Sequence, residues 1–274
     1  MTTQRKAAKA VEAQFEGIGV RAKVVMVPNA LALRREQPPV RVNVLSDEDG
    51  PFFFVERRWN VTLSVPESAP DERHLLLVAD HAGYGEHRFS RFLCGHDERH
   101  WFVAAIPESA EVDTVRGARD ALKPQEVWDE IRAAELPVDQ FDLRWTAAFI
   151  RQGEWFFLPR PWMEVDHALV LFEEPIRRGE GKPHWCEFLY RTGGETVLVS
   201  DKHPNGLTVD EFQKLDVVER RRTYWREMVR NAEVYVRGRI SHTDHATIDL
   251  PYWHKVVMNT ESQAHAMEHV AFLD

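Results

Sequence analysis

RVNVLSDEDGPFFFVERRWNVTLSV, residues 41–65, packs three β-type runs into one short span: Arg41–Leu45, Phe52–Glu56 and Asn60–Val65. The links between them, with Asp47-Glu48-Asp49-Gly50-Pro51 as the clearest turn, are too short for crossover helices, so the runs must pair antiparallel. Similar runs lie on either side, at Lys23–Val27, Leu75–Ala79 and Trp101–Ile106, and Pro66-Glu67-Ser68-Ala69-Pro70 reads as a further turn. Upstream, Arg5–Phe15 places Ala7, Ala8, Val11 and Phe15 on one side of a short helix.

Downstream the periodicity changes. Asp113 is positioned to cap a helix over Thr114–Leu122, and Pro124 opens a second over Pro124–Ala134, where its missing N–H costs nothing. Pro137-Val138-Asp139 breaks the pattern, which places a domain boundary near 136: an N-terminal β-rich domain, 1–135, with two helices at its end, and a C-terminal α+β domain, 136–274. In the second, strands are expected at Ala147–Ile150, Glu154–Leu158, His167–Phe172, Thr196–Ser200, Glu233–Ile240, Ala246–Leu250 and Trp253–Met258. Gly179–Pro183 reads as a loop and Asp201–Gly206 as a turn. Thr208 and Glu211 form a capping box, and a helix is expected over about Asp216–Asn231. The fold class is therefore α+β and strand-dominated: two antiparallel β-rich regions with helices clustered between them and near the C-terminal half.

Composition narrows the function classes. The 274 residues carry a formal charge of −9, which argues against bulk nucleic-acid coating, and 43% are apolar, enough for a packed core. Two cysteines exclude a disulfide framework and a four-cysteine zinc or iron–sulfur site within one chain. Residues 1–16 contain no apolar run of signal-peptide type, and no window has the ~20 apolar residues of a spanning helix, so a soluble cytoplasmic protein with no membrane partner is expected.

Several motifs fail on context. Gly17-Ile18-Gly19-Val20-Arg21-Ala22 fits the letters of a dinucleotide fingerprint, but a helix precedes it and a strand follows, the reverse of what that fingerprint needs. With no Walker A motif either, no nucleotide cofactor is implied. Asp47-Glu48-Asp49-Gly50 lacks the later ligands of a calcium loop. His265-Ala266-Met267-Glu268-His269 has the order of inverted zinc proteases without a downstream ligand. His245-Ala246-Thr247-Ile248 is one copy of an element that 2H phosphoesterases use twice.

The histidines carry the chemistry. Of the 13, five lie at 74, 81, 87, 96 and 100 and five at 242, 245, 254, 265 and 269. Cys94-Gly95-His96 and His184-Trp185-Cys186 each place two metal-ligating side chains on one strand face. Cys94, His96, His184 and Cys186 together would make a Cys₂His₂ site for zinc or another divalent metal; His100 is an alternative ligand, and two buried apolar cysteines are the plain alternative. In Arg237–His245, His242, Asp244 and His245 read as ligands or as acid and base, with Arg239 (or Arg237) as a clamp on an anion. A solvated polar turn is the competing reading of the same residues.

Arg151-Gln152-Gly153-Glu154-Trp155-Phe156-Phe157-Leu158-Pro159, followed by His242–Pro251 and Val256-Val257, resembles a family of uncharacterised bacterial proteins that open a β-rich domain with such a run and close it with a His-acidic-His strand pair. The resemblance covers about residues 145–260 and implies that 145–274 is one unit. The family has no established activity, so no residue role follows from it.

Residues 219–239 hold seven arginines against three glutamates. On the expected helix, Arg222, Arg226 and Arg230 fall at i,i+4 spacing beside Trp225, a basic and aromatic stripe suited to RNA or a nucleotide; an exposed helix face with paired arginines is the alternative. The nine tryptophans, Trp145, Trp155, Trp162, Trp185 and Trp253 among them, suggest a protein interface. Two function classes emerge: a His-centred, metal-assisted hydrolase acting on a phosphoester or similar anion, and a non-catalytic binding or assembly subunit that contacts RNA through 219–239.

Overall fold

The structure, a computed structural model, describes residues 2–27, 38–83, 86–178 and 181–263. The His265–His269 motif, part of the 83–87 connection and part of the 179–183 loop lie outside the described residues. The fold is α+β and strand-dominated, as the sequence predicts. It divides into two compact units, one reaching Lys123 and joined by Thr260–Gln263, the other running from Pro124 to Asn259. The second unit thus begins at Pro124 and takes the helix after it. No described helix is long and apolar enough to cross a membrane.

In the first unit, helix α1 (Thr2–Gly17) buries Val11 and Phe15, whose ring lies 4.8 Å from that of Phe53. It leads into a three-stranded sheet of β1 (Arg21–Met26), β2 (Val40–Asp47) and β3 (Gly50–Arg57), in the order β1-β3-β2. The β2–β3 hairpin is antiparallel as expected, but β1 runs parallel to β3. That departure is possible because β1 connects to β2, not to its neighbour β3, so no hairpin dictates its direction.

A four-stranded antiparallel meander follows: β4 (Val61–Ala69), β5 (His74–Gly83), β6 (Glu86–Asp97) and β7 (His100–Ile106). Strand β4 continues through the expected turn at Pro66, with a register shift between Ser64 and Glu67 that accommodates a residue unable to donate to the ladder. Leu75, Leu77 and Cys94 face one core, Leu76, Val78 and Leu93 the other, so this sheet is buried on both sides. Helix α2 (Val115–Ala121) is capped by Thr114, whose hydroxyl accepts from Gly117 N at 3.0 Å, rather than by Asp113.

The second unit opens with α3 (Gln125–Ala133) and is built on one antiparallel six-stranded sheet. Its strands are β8 (Ile150–Gln152), β9 (Trp155–Pro159), β10 (Leu171–Ile176), β11 (His184–Thr192), β15 (Glu233–Ser241) and β16 (Ile248–Met258), in the order β10-β11-β15-β16-β9-β8. Residues 167–169 form a 3₁₀ turn where the strand expected over 167–172 would begin, only Leu171 and Phe172 of it entering β10, and the two strands expected over 246–258 are one. The apolar run Trp155–Leu158 is buried on both faces, Trp155 and Phe157 against one core, Phe156 and Leu158 against another that includes Val127 and Ile131 of α3.

Between β11 and β15 lies a smaller sheet of β12 (Glu195–Ser200), β13 (His203–Thr208) and β14 (Arg226–Arg230), with helices α4 (Val209–Lys214) and α5 (Val217–Arg222). The Thr208–Glu211 capping box is present, and of the turn expected over 201–206 only 201–202 form one, His203–Gly206 belonging to β13. The long helix over 216–231 is overturned: α5 ends at Arg222, and 226–230 pair with β12. Two β-branched residues open α5, Thr223 follows it in extended conformation, and β12 offers an edge that a free helix would leave unpaired.

Candidate metal centre

Strand register brings the site together. Trp185 of β11 pairs with Ser241 of β15, so one step on, His184 at the start of β11 stands beside His242 just past the end of β15. Ile240 pairs with Ile248, which makes 241–247 a connection that also carries His245. The three imidazoles stack: ring centroids lie 4.1 Å apart for His184 and His242, 4.8 Å for His242 and His245, and 5.6 Å for His184 and His245. One nitrogen from each of the three lies within 4.8 Å of the others, a group able to hold a metal ion.

The third wall comes from further back in the chain. Gln152 pairs with Trp155 across the two-residue turn Gly153-Glu154, and Gly153 has φ +59°, as a turn of this length requires at its first position. A Cβ at Gly153 would lie 2.9 Å from His245 Nε2, so glycine is also needed for the close approach. Gln152 Nε2 donates to the Ala246 carbonyl at 2.6 Å, and the Trp155 ring stands edge-on to His184 at 6.3 Å. These contacts set the β8–β9 turn against the 241–247 connection.

Electrostatics prepare His184 as a ligand. It is 1% exposed, and both ring nitrogens are buried with no hydrogen-bond partner among the described residues. Burial first, then the neighbouring His242 and His245, hold its imidazole down to about 3, so it is neutral at physiological pH with lone-pair nitrogen available. His242 is shifted the same way by burial and His245, against the pull of Asp244. Its Nδ1 accepts from Asp244 N–H at 3.1 Å, and the ring also hydrogen-bonds the Lys182 backbone. A nitrogen that accepts carries no proton, so the neutral ring holds its proton on Nε2, and the Asp244 N–H occupies the Nδ1 lone pair. Lys182 Nζ donates to both carboxylate oxygens of Asp244 at 2.8 Å.

One ion bound at about 2.0–2.1 Å wants its nitrogens about 3.3 Å apart, so the three histidines must close by up to about 1.5 Å on loading. Residues 242–247, outside the sheet ladder, are the part able to yield.

The other residues singled out in the sequence lie elsewhere. Cys94 is buried in a core of the first unit and His96 packs on Trp101, while Cys186 lies in the core of the second unit against such residues as Leu189 and Ile240. Burial pushes the Cys94 thiol far up and that of Cys186 to about 12, so both are held as neutral apolar side chains. His184 thus keeps the company of His242 and His245 in place of the Cys₂His₂ set. Arg239 points away from Ile240 and the core; it is exposed and lies 3.9 Å from Glu173, not at the histidines. Arg237 sits over the Phe188 and Trp253 rings.

Arg222 is on α5, Arg226 and Arg230 on β14, so the expected helical stripe does not form. Arg230 pairs with Glu195 at 2.6 Å, and Trp225 stacks on His203 while donating to the Arg220 carbonyl. Trp155 and Trp253 are core residues; Trp145, Trp162 and Trp185 are exposed. Sequence reading missed the wall of Gln152, Gly153 and Trp155. The two runs that meet there are Arg151–Pro159 and His242–Pro251.

Comparison with known proteins gives no match to a family model, to a curated protein or to a solved structure.

Proposed function

We propose that the second unit holds a divalent transition metal, zinc foremost, through His184, His242 and His245, and uses it for hydrolysis of a phosphoester or similar anionic substrate. The observation that carries the reading is His184, a buried imidazole whose two nitrogens have no partner among the described residues while two more imidazoles face it. Interiors satisfy buried polar atoms, and a metal is the ligand that three neutral imidazoles share best. A metal on three histidines retains an open position, lowers the pKa of a water and polarises a phosphoryl oxygen.

The surrounding residues have matching tasks. The Asp244 N–H fixes the His242 tautomer and Lys182 anchors the Asp244 carboxylate through its ammonium, so one short segment orients a ligand and a carboxylate. Asp244 is the proton acceptor, and Lys182, whose side chain is 62% exposed, supplies the positive charge for an anionic substrate in the place of Arg239. Elemental analysis of purified protein, alongside assay of a nitrophenyl phosphodiester, tests this. One equivalent of metal, and loss of both metal and turnover in His184→Ala, are expected; full activity in a His242→Ala/His245→Ala double variant would overturn it.

A non-catalytic binding subunit is the second reading, supported by the exposure of Trp162 at 93% together with Trp145 and Trp185. A partner lost on Trp162→Ala but retained in His184→Ala would favour it.

A further inference from the structure

Two residues that border the three histidines each bury a further polar atom. Gln152 is 1% exposed and Trp155 wholly buried, yet Gln152 Oε1 and Trp155 Nε1 make no hydrogen bond among the described residues. The amide cannot simply be turned round: its other end lies 2.6 Å from the Ala246 carbonyl, so that end must be the NH₂ donor, and the remaining end is an acceptor with nothing to accept. The indole is the converse, a donor with nothing to donate to. Gln152 and Trp155 are direct cross-strand partners, so their side chains leave the hairpin on one face, Cβ atoms about 5 Å apart. Both adjoin histidines, Trp155 by its edge contact with His184 and Gln152 through Ala246, the residue after His245.

We infer that Gln152 and Trp155 form a seat for a single oxygen at the histidine site, one whose O–H donates to Gln152 Oε1 and which accepts from Trp155 Nε1. A water, or the hydroxyl of a substrate, has that donor–acceptor character; a bare anion without a proton would meet the Gln152 oxygen with repulsion. Both residues are positioning residues: they touch the oxygen, and through it the metal. The inference rests on the three-histidine reading and adds the polarity of what binds beside the metal.

Zn²⁺ affinity, measured by chelator competition on the full chain, is the test. Gln152→Leu and Gln152→Glu both abolish the bond to Ala246, but only Glu keeps an acceptor oxygen. The Leu variant should bind about tenfold more weakly, at the low end of the range for outer-sphere partners, and the Glu variant at least as tightly as the wild type. Trp155→Phe should also cost about tenfold. Because both side chains serve one oxygen, Gln152→Leu/Trp155→Phe should lose about tenfold in total and not about a hundredfold. Phe157→Leu, in the same core with no polar atom, serves as control and should change affinity less than about threefold. Equal losses in the Leu and Glu variants, multiplicative losses in the double variant, or unchanged affinity in all would overturn the oxygen seat. Absence of Zn²⁺ binding in the wild type would overturn the three-histidine reading itself, and this inference with it.

Discussion

Replacing His184 with leucine in chelator-treated protein isolates the cost of burying an imidazole among imidazoles. The folded pKa is depressed to about 3 from an ordinary 6.5. Between those values the unfolded chain binds a proton that the folded one refuses, so stability is complete above pH 6.5 and falls as the pH drops towards 3. Each pH unit in that window costs about 1.4 kcal/mol, which makes about 3 kcal/mol between pH 6.5 and 4.5. Leucine is close in size and has no proton to refuse, so His184→Leu should lose that dependence. Urea unfolding at pH 7.5 and 4.5 reads it as the difference between variant and wild type, in which the acid sensitivity of every other group largely cancels. The variant should gain about 3 kcal/mol on the wild type over this range. A relative gain under about 1 kcal/mol would mean that His184 protonates freely in the folded chain, and the buried neutral ligand would be refuted.

Three further outcomes can be checked. Gly153→Ala, at φ +59° and with its Cβ 2.9 Å from His245 Nε2, should destabilise by about 1–2 kcal/mol from the backbone alone and weaken Zn²⁺ binding as well, seen by thermal unfolding and chelator competition. Arg239→Ala should leave Zn²⁺ affinity within about twofold, since its side chain pairs with Glu173 and not with the histidines; a larger loss would restore the anion clamp expected from sequence. Trp225→Ala should destabilise the second unit by about 2 kcal/mol in urea, because half-buried Trp225 stacks on His203 and meets Phe212 edge-on. An unchanged midpoint would free Trp225 for nucleic-acid stacking.

The strands were legible where hydrophobic pattern and turn chemistry agree, as in residues 41–65, where Asp47–Pro51 fixes the hairpin and Phe53 and Val55 point inward. They were illegible where polar residues lie on a long strand: His87, Arg88, Arg91 and His96 hide β6, whose ladder bonds come from a backbone that composition does not report. The Arg222–Arg230 stripe failed because helical spacing also suits a short helix followed by a strand, and pairing with β12 decided between them. In the site, His242 and His245 were visible through their proximity in sequence. His184 was visible as a ligand but was matched with Cys186, since i,i+2 spacing shows a shared face and not which face meets which. That information lies in the register Trp185 to Ser241, a long-range pairing with no local signature. Gln152 and Trp155 reach the site through contacts with Ala246 and His184 that are distant in sequence and have no local signature.

The donor set around the metal is what X-ray absorption at the zinc edge reads directly in the loaded protein. Three imidazole nitrogens at about 2.0 Å with their outer-shell scattering, and no sulfur, are predicted from His184, His242 and His245. A sulfur shell at about 2.3 Å would instead return the site to Cys94 or Cys186, and failure to take up zinc at all would contradict the metal centre itself.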